Sequence, residues 1–396
     1  MNVQKALLAR GIHSDVLMVG DQDGLYCKSE TGNVYSIQSS ISFENKKKNI
    51  VRYLKTRIPM IFTWPVSSYR RVNQYRRAIE KLNRRQKYDA IIGTMFPPDV
   101  CVSCSSFEHF FMYELDSLIN NPISKEGIKK YFKFRLIKTE RGLYNRAELI
   151  IHLNNNKRFY SKKEYQLYAD KFVYADIPNL VEESTDVQQN VSDGEVYRKY
   201  VQDDELLMVY SGHLSKDHRS PSELIELIKL ISDQAKVKCL FFSRGDCEDE
   251  LRKAEVETND VIRRMGYVSQ EELKQFTDRA DFLLDIGNQL TGEDYSLPSK
   301  VISYMATGKP IIHINGVNDS AIQYLEKYGM ALNVVSEMSA TEKKQAVWDF
   351  IEKTRGKRLP FADIAKKFPQ NTPEYTADLI IRQIEKRKAV LAENGS

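Results

Sequence analysis

From residue 205 onward, short apolar runs alternate with helical patterns. The runs Leu206 to Tyr210, Val237 to Phe242, Val261 to Val268, Phe282 to Ile286, Pro310 to Ile314 and Ala331 to Val335 are largely apolar rather than strictly alternating. A strand that is apolar on both sides is buried on both faces, as in parallel sheets covered by helices. Each run leads into a helical pattern, so six parallel strands with helical crossovers are predicted. Three helix starts read Ser-x-x-Glu, the reciprocal capping pattern: Ser220 with Glu223, Ser269 with Glu272, and Ser339 with Glu342. Pro221 takes a first-turn position, where a missing N–H costs little. A doubly wound α/β domain follows.

The first half is mixed α/β with a weaker rhythm. Ser14 to Val19, Pro59 to Thr63, Tyr88 to Ile92, Phe110 to Tyr113 and Leu149 to Leu153 read as strands, with Tyr69 to Arg85 and Lys125 to Arg146 as helices. Asn2 to Arg10 reads as an amphipathic helix stopped at Gly11, and the first strand comes only after it. A doubly wound domain ordinarily opens with a strand and a Gly-rich turn, so this domain is expected to lack its first strand. Residues 182 to 204 are polar and have a linker's composition. The expected organisation is a Rossmann-like domain over 1–181, a linker over 182–204 and a second Rossmann-like domain over 205–372. A C-terminal helix over 373–396 either continues the second domain or crosses back to the first.

Length and composition narrow this picture. At 396 residues the chain exceeds one ordinary core, and 42% hydrophobic with 29% charged residues is a globular composition, neither disordered nor fibrous. A net charge of +5 does not imply a nucleic-acid partner. The excess is uneven, however: Arg70, Arg71, Arg76, Arg77, Lys81, Arg84, Arg85 and Lys87 crowd into one expected helix. That face is either simply solvated or suited to an anionic membrane surface or a phosphate-bearing lipid. No run has the length of a membrane span and the N-terminus lacks a signal peptide's apolar core, so a cytoplasmic protein, peripheral on the membrane at most, is expected. Five cysteines, an odd number, argue for reduced thiols, and Cys101 and Cys104 form a CxxC without the second pair that a zinc site needs.

The most informative stretch for chemistry is residues 281 to 312. An apolar strand leads through a loop with Gly287 and Gly292 to Leu297-Pro298-Ser299-Lys300, which opens a helix stopped at Gly308 before the next strand. Ser299 suits an N-cap, and Lys300 falls in the first turn. An exposed cation there opposes the helix dipole unless an anion offsets it, so the unit is either an ordinary βαβ turn or a phosphate site.

Together these residues resemble the GT-B glycosyltransferases, in particular the large retaining family of bacterial polysaccharide enzymes (group 1, family 4-like). The resemblance rests on Tyr210-Ser211-Gly212-His213-Leu214 with Arg219-Ser220-Pro221, Met265-Gly266-Tyr267-Val268 with Glu271-Glu272-Leu273, and Leu297-Pro298-Ser299-Lys300 to Gly308-Lys309-Pro310. Asp116, Glu140 before Ala147-Glu148-Leu149-Ile150, and Ile177-Pro178-Asn179-Leu180 extend it through the first half. It implies two Rossmann-like domains facing across a cleft, with a nucleotide-sugar donor on the second and a saccharide or polyprenyl-linked acceptor on the first. The implied donor contacts are Gly212, His213, Lys216, Arg244, Tyr267, Val268, Glu293, Tyr295, Ser296, Leu297 and Ser299. Arg219 and Lys300 would meet the charge that builds on the departing diphosphate, in place of a metal ion. Asp116 is either an acceptor-side base or a helix cap. The nucleotide-sugar is a substrate, and no cofactor is implied.

Two departures stand out. Many members carry two glutamates where this chain has Tyr295 and Ser303, and Glu293 lies two residues early. The loop after the absent first strand helps shape the acceptor side in the family. A catalytically silent GT-B-like binding protein, or a partner subunit of another glycosyltransferase, is therefore the alternative to an enzyme of surface-polysaccharide assembly. Asp21-Gln22-Asp23 matches a metal-binding DxD, but a turn between Gly20 and Gly24 explains its acids, and GxGxxG and Walker loops are absent.

Overall fold

The computed structural model describes residues 2–20, 23–29, 32–38, 63–95, 97–115, 117–119, 132–182, 199–287, 299–314 and 319–394. They form two compact units, Met1–Pro178 with Gln370–Ser396, and Asn179–Pro369. The fold class is α/β, with parallel sheets in both units.

The first unit holds two sheets. One consists of β1 (Val16–Gly20), β2 (Gly24–Ser29) and β3 (Gly32–Gln38) in the order β1-β3-β2, with β1 parallel and β2 antiparallel to β3. The other runs β4 (Ile91–Thr94), β5 (Phe110–Glu114), β6 (Leu149–Leu153) and β7 (Phe172–Ala175), parallel throughout. Side chains alternate across this sheet. Phe110, Met112 and Ile150 face a core with Leu136, Leu143 and Tyr144, while Phe111, Tyr113, Leu149 and Ile151 face Leu379 and Ile380. Those last two belong to the helix Pro373–Asn394, which packs within this unit and also meets Ala6 and Leu7 of the helix Asn2–Leu8. Arg10 pairs with Asp378 beside that contact.

The second unit is a single six-stranded sheet of β8 (Leu206–Leu214), β9 (Val237–Gly245), β10 (Ile262–Arg264), β11 (Phe282–Ile286), β12 (Ile311–Ile314) and β13 (Ala331–Val334). The order is β10-β9-β8-β11-β12-β13, and every pair is parallel. Met208, Cys239, Phe282 and Leu284 pack against helices Ser222–Ser232 and Ala340–Thr354 through Leu224, Ile228, Val347 and Ile351. Val209, Leu240 and Leu283 pack on the other face against Phe276, Val301 and Met305. Each fully buried aliphatic or aromatic side chain contributes about 1.5–3 kcal/mol, so both faces must be covered for the sheet to hold.

Several expectations need adjusting. The run Val261 to Val268 yields only three strand residues, because Gly266 at φ +70° turns the chain away. The hairpin of β2 and β3 was not expected from periodicity, since its residues are mixed in polarity, and the short apolar strand β7 was not expected either. Of the three capping patterns, Ser339 and Glu342 form the full reciprocal box and Ser269 accepts from the Glu272 N–H. Ser220 does not cap its helix: Pro221 takes the N-cap position, and Glu223 turns instead to Ser336 and Lys343. The expected strand over residues 59–62, the start of the helix over 125–131, most of the linker (183–198), and Asp21 and Gln22 lie outside the described residues.

Candidate functional site

In the second unit, chain order reverses at β8: β9 and β10 lie on one side of it, and β11 to β13 on the other. In an open parallel sheet the crevice beyond the carboxyl ends of the strands at such a reversal is where ligands bind. The end of β8 carries Ser211, Gly212 and His213, and the following loop closes through paired backbone bonds between Ser215 and Arg219 at 2.8 and 3.2 Å. Gly212 sits at φ +146°, a conformation side-chain-bearing residues rarely adopt, and an added Cβ there would lie 3.5 Å from Lys300 Nζ. Lys300 therefore reaches the β8 turn from the helix Ser299–Ala306.

Lys300 does more than approach the turn. Its Nζ lies 2.5 Å from Asp285 Oδ1, and His313 Nδ1 lies 2.7 Å from Asp285 Oδ2. Asp285 on β11 and His313 on β12 are register partners, so the two strands set that contact. The ammonium also stands 4.2 Å from the centroid of Tyr210, a distance suited to cation–π attraction. Tyr304 anchors the same helix to β8: its hydroxyl accepts from the Ser211 N–H at 2.9 Å. Arg219 Nε is buried without a hydrogen-bond partner among the described residues.

The electrostatics follow from burial. Full burial pushes the Asp285 carboxyl up, but Lys300 and His313 outweigh it and hold the group well below the usual carboxylate range. Burial lowers Lys300, Asp285 raises it, nearby Arg219 lowers it further, and the balance is downward. The expectation of an exposed Lys300 is corrected here: only 16% of its side chain is exposed. The helix dipole is not left opposing a solvated cation, because Asp285 supplies the anion.

The expected site residues divide into three groups. Gly212, Arg219 and Lys300 converge. His213, Lys216, Arg244 and Ser299 are exposed, and Val268 is half-buried. Arg244 stands 5.2 Å over the ring of Tyr267, which is 76% exposed. Asp116, Glu293, Tyr295, Ser296 and Leu297 lie outside the described residues. Asp285, His313, Tyr210 and Tyr304 were missed. The signal was a single ionisable residue inside each apolar run, FLLDI and IIHI, because a polar group in a doubly covered strand needs a partner.

The first unit contains a second polar cluster. Glu114 at the end of β5 accepts from the Tyr144 and Tyr160 hydroxyls, both at 2.7 Å, and His152 Nδ1 lies 3.1 Å away. Glu140 accepts from Tyr165 at 3.2 Å and from Ser117 at 3.4 Å. Burial and the neighbouring Glu114 raise Glu140 well above the usual range. Glu114, Glu140 and His152 are fully buried, which makes this network part of the core. Cys101 and Cys104 are buried too, and burial pushes the Cys104 thiol up to about 12.

Two Rossmann-like units, with Gly212, Arg219 and Lys300 at the strand reversal of the second, define the GT-B class of fold. Solved structures agree. The chain superposes on WaaG, a glycosyltransferase involved in lipopolysaccharide biosynthesis, with TM-score 0.55 and 13% identity over 96% of this chain and 94% of that one. A glycosyltransferase from Rickettsia africae ESF-5 gives 0.51 and 14% over 99% and 93%. An α,α-trehalose 6-phosphate synthase from Burkholderia multivorans gives 0.54 and 9% over 96% and 91%. At such identities the likeness establishes the fold. No family model and no curated protein sequence matches. Among the described residues no helix is long and apolar enough to cross a membrane.

Proposed function

We propose that the chain is a glycosyltransferase that moves a sugar from a nucleotide-sugar donor to a saccharide or lipid-linked acceptor. The single observation that carries this reading is the convergence of Gly212, Lys300 and Arg219 at the strand reversal of the second unit, where a diphosphate needs donors and positive charge. Breaking the anomeric bond sends negative charge onto the leaving diphosphate, and preorganised cations stabilise that charge without moving. Arg219, whose Nε has no hydrogen-bond partner among the described residues, meets the phosphates directly. Lys300 joins it by sharing its protons between Asp285 and a phosphate oxygen. Exposed Tyr267 with Arg244 offers a face on which the base stacks. The finer reading is retaining, metal-independent hexosyl transfer in assembly of a bacterial surface polysaccharide; WaaG is involved in lipopolysaccharide biosynthesis.

An anionic, lipid-linked acceptor at a membrane surface is supported by the helix Tyr69–Arg85. Arg77, Lys81 and Arg85 are exposed at successive four-residue steps and border a groove of about 440 Å³ whose walls include Leu17, Leu25 and Ile37. Cations over apolar surface suit a phosphate joined to a hydrocarbon.

A silent binding protein is the second reading, favoured by Ser303. Its hydroxyl donates to the Ser299 carbonyl at 3.3 Å within the helix, where the resemblance places a carboxylate. The test is a thermal-shift series with UDP-, GDP-, ADP- and CMP-sugars, since a ligand that binds only the folded chain raises Tm. One sugar nucleotide should raise Tm in the wild type and not in Arg219→Ala. No shift with any of them rejects the donor site, whereas a shift with neither hydrolysis nor transfer selects the silent reading.

A further inference from the structure

Two neighbouring apolar strands of the second unit each carry one ionisable residue, Asp285 in β11 and His313 in β12. The strands pair them in register. Leu283 and Ile311, two residues earlier, face Val301 and Met305 of the helix Ser299–Ala306, so Asp285 and His313 lie on that same covered face. Asp285 has no exposure and His313 has 1%. Lys300 reaches one carboxylate oxygen from the first turn of the helix, at 2.5 Å, and the imidazole meets the other at 2.7 Å.

Stability alone does not account for this set, because replacing a whole buried ionic network by apolar side chains of similar volume is often neutral or stabilising. What the set determines is the place of one ammonium group. A lysine is a point charge on a flexible stem, and here Asp285 fixes its end between the rings of Tyr210 at 4.2 Å and Tyr304 at 5.7 Å, beside Gly212. A carboxylate fixes a cation only if it is itself fixed. Among the described residues the imidazole of His313 is the hydrogen-bond partner that holds Asp285 Oδ2. An ionised carboxylate only accepts, so Nδ1 carries the proton of that bond. His313 Nε2 is buried with no hydrogen-bond partner among the described residues, so the ring is committed to Asp285. The same bond draws off part of the carboxylate's charge, and Lys300 keeps N–H groups for a second acceptor.

We propose that His313 is a positioning residue: through Nδ1–H it holds the Asp285 carboxylate so that Lys300 is aimed at the turn that follows β8. It touches no substrate and acts through Lys300. That the aimed ammonium meets a diphosphate rests on the sugar-transfer reading, whereas the aiming itself is a property of the ligand-free chain.

The first measurement needs no ligand. NMR of the full chain with histidine labelled at its ring nitrogens reports which nitrogen of His313 is protonated, and does so in the wild type, whether or not any variant folds. Nδ1 is expected to carry the proton, and protonation at Nε2 alone overturns the proposal. NMR with lysine labelled at its side-chain carbons, the Lys300 signal being assigned by its loss in Lys300→Met, reports the surroundings of the ammonium. That signal is expected to stay in place in His313→Asn, whose amide N–H stands where the Nδ1 donor stood, and to move in His313→Gln and His313→Leu. A Lys300 signal that is the same in every form overturns the proposal. The second measurement is calorimetric titration with inorganic pyrophosphate. His313→Gln and His313→Leu should bind it at least about tenfold more weakly than the wild type, the worth of a hydrogen bond to a charged group, and His313→Asn less than about threefold more weakly. A role in packing alone would instead favour the apolar leucine, so equal losses in all three variants, or none in any, overturn the proposal. If the wild type binds no pyrophosphate while both NMR signatures are as expected, the sugar-transfer reading fails and the aiming of Lys300 by His313 is upheld.

Discussion

Replacing Lys300 by Met removes the counter-charge of a carboxylate that has no solvent exposure. Breaking a buried ion pair by deleting one partner costs about 3–5 kcal/mol, because the remaining charge is left in a medium that cannot solvate it. His313 stays 2.7 Å from the other Asp285 oxygen and Lys300 retains 16% exposure, so the lower end applies, about 3 kcal/mol. In a unit of roughly 190 residues that corresponds to a fall in Tm of roughly 6–12 °C. The measurement is urea or thermal unfolding followed by Trp348, which packs on the second unit's core, in a Trp64→Phe background that silences the other tryptophan. Lys300→Met combined with Asp285→Asn should recover most of the loss, since neither charge then needs a partner. A cost below about 1 kcal/mol, or a double variant whose loss is the sum of the two singles, refutes the coupling. The outcome also bears on the proposed function: loss of a lysine that holds up the fold would weaken donor binding for two reasons at once, so Arg219→Ala is the cleaner probe of the proposed phosphate site.

Five further outcomes follow from single positions. Gly245→Ala places a Cβ 1.8 Å from the Leu214 carbonyl oxygen and at φ +141°, so it should cost about 3 kcal/mol and lower the unfolding midpoint. At Gly212, where the nearest atom is 3.5 Å away, only the backbone conformation resists and about 1 kcal/mol is expected. Asp285 is lowered, so its stabilisation is complete above the ordinary carboxylate value and is lost as pH falls through the still lower folded value; Asp285→Asn should flatten that acid limb of the stability curve. Glu140 is raised and has the opposite sign, its contribution fading as pH rises above the ordinary glutamate value, and Glu140→Gln should remove that slope. Tyr267→Ala should leave stability within about 0.5 kcal/mol, because the side chain is 76% exposed. Its nucleotide affinity, read by titration, should fall at least about tenfold if the base stacks there.

The second unit was readable because its determinants are local and repeated. Leu149–Leu153 and Phe282–Ile286 are strands at the expected bounds, and the six apolar runs all became parallel strands. The first unit was less so: a hairpin such as Gly24–Ser29 with Gly32–Gln38 has one side in solvent and no apolar run to mark it. The late position of the first strand, behind the helix Asn2–Leu8, was also legible, because order along the chain is a sequence property.

Patterning, helix stops and turn glycines are fixed by neighbours a few residues apart, and they gave the α/β class, the crossover order and the candidate cations. Partnership is different. Lys300 and Asp285 are fifteen positions apart and His313 is on the next strand, so their union depends on β11 and β12 pairing in one register. Only the tertiary structure turned an expected solvated cation into a buried one and left Arg219 Nε, among the described residues, without a hydrogen-bond partner. Burial and charge pairing depend on what the fold brings within a few ångströms, and spacing along the chain does not carry that information.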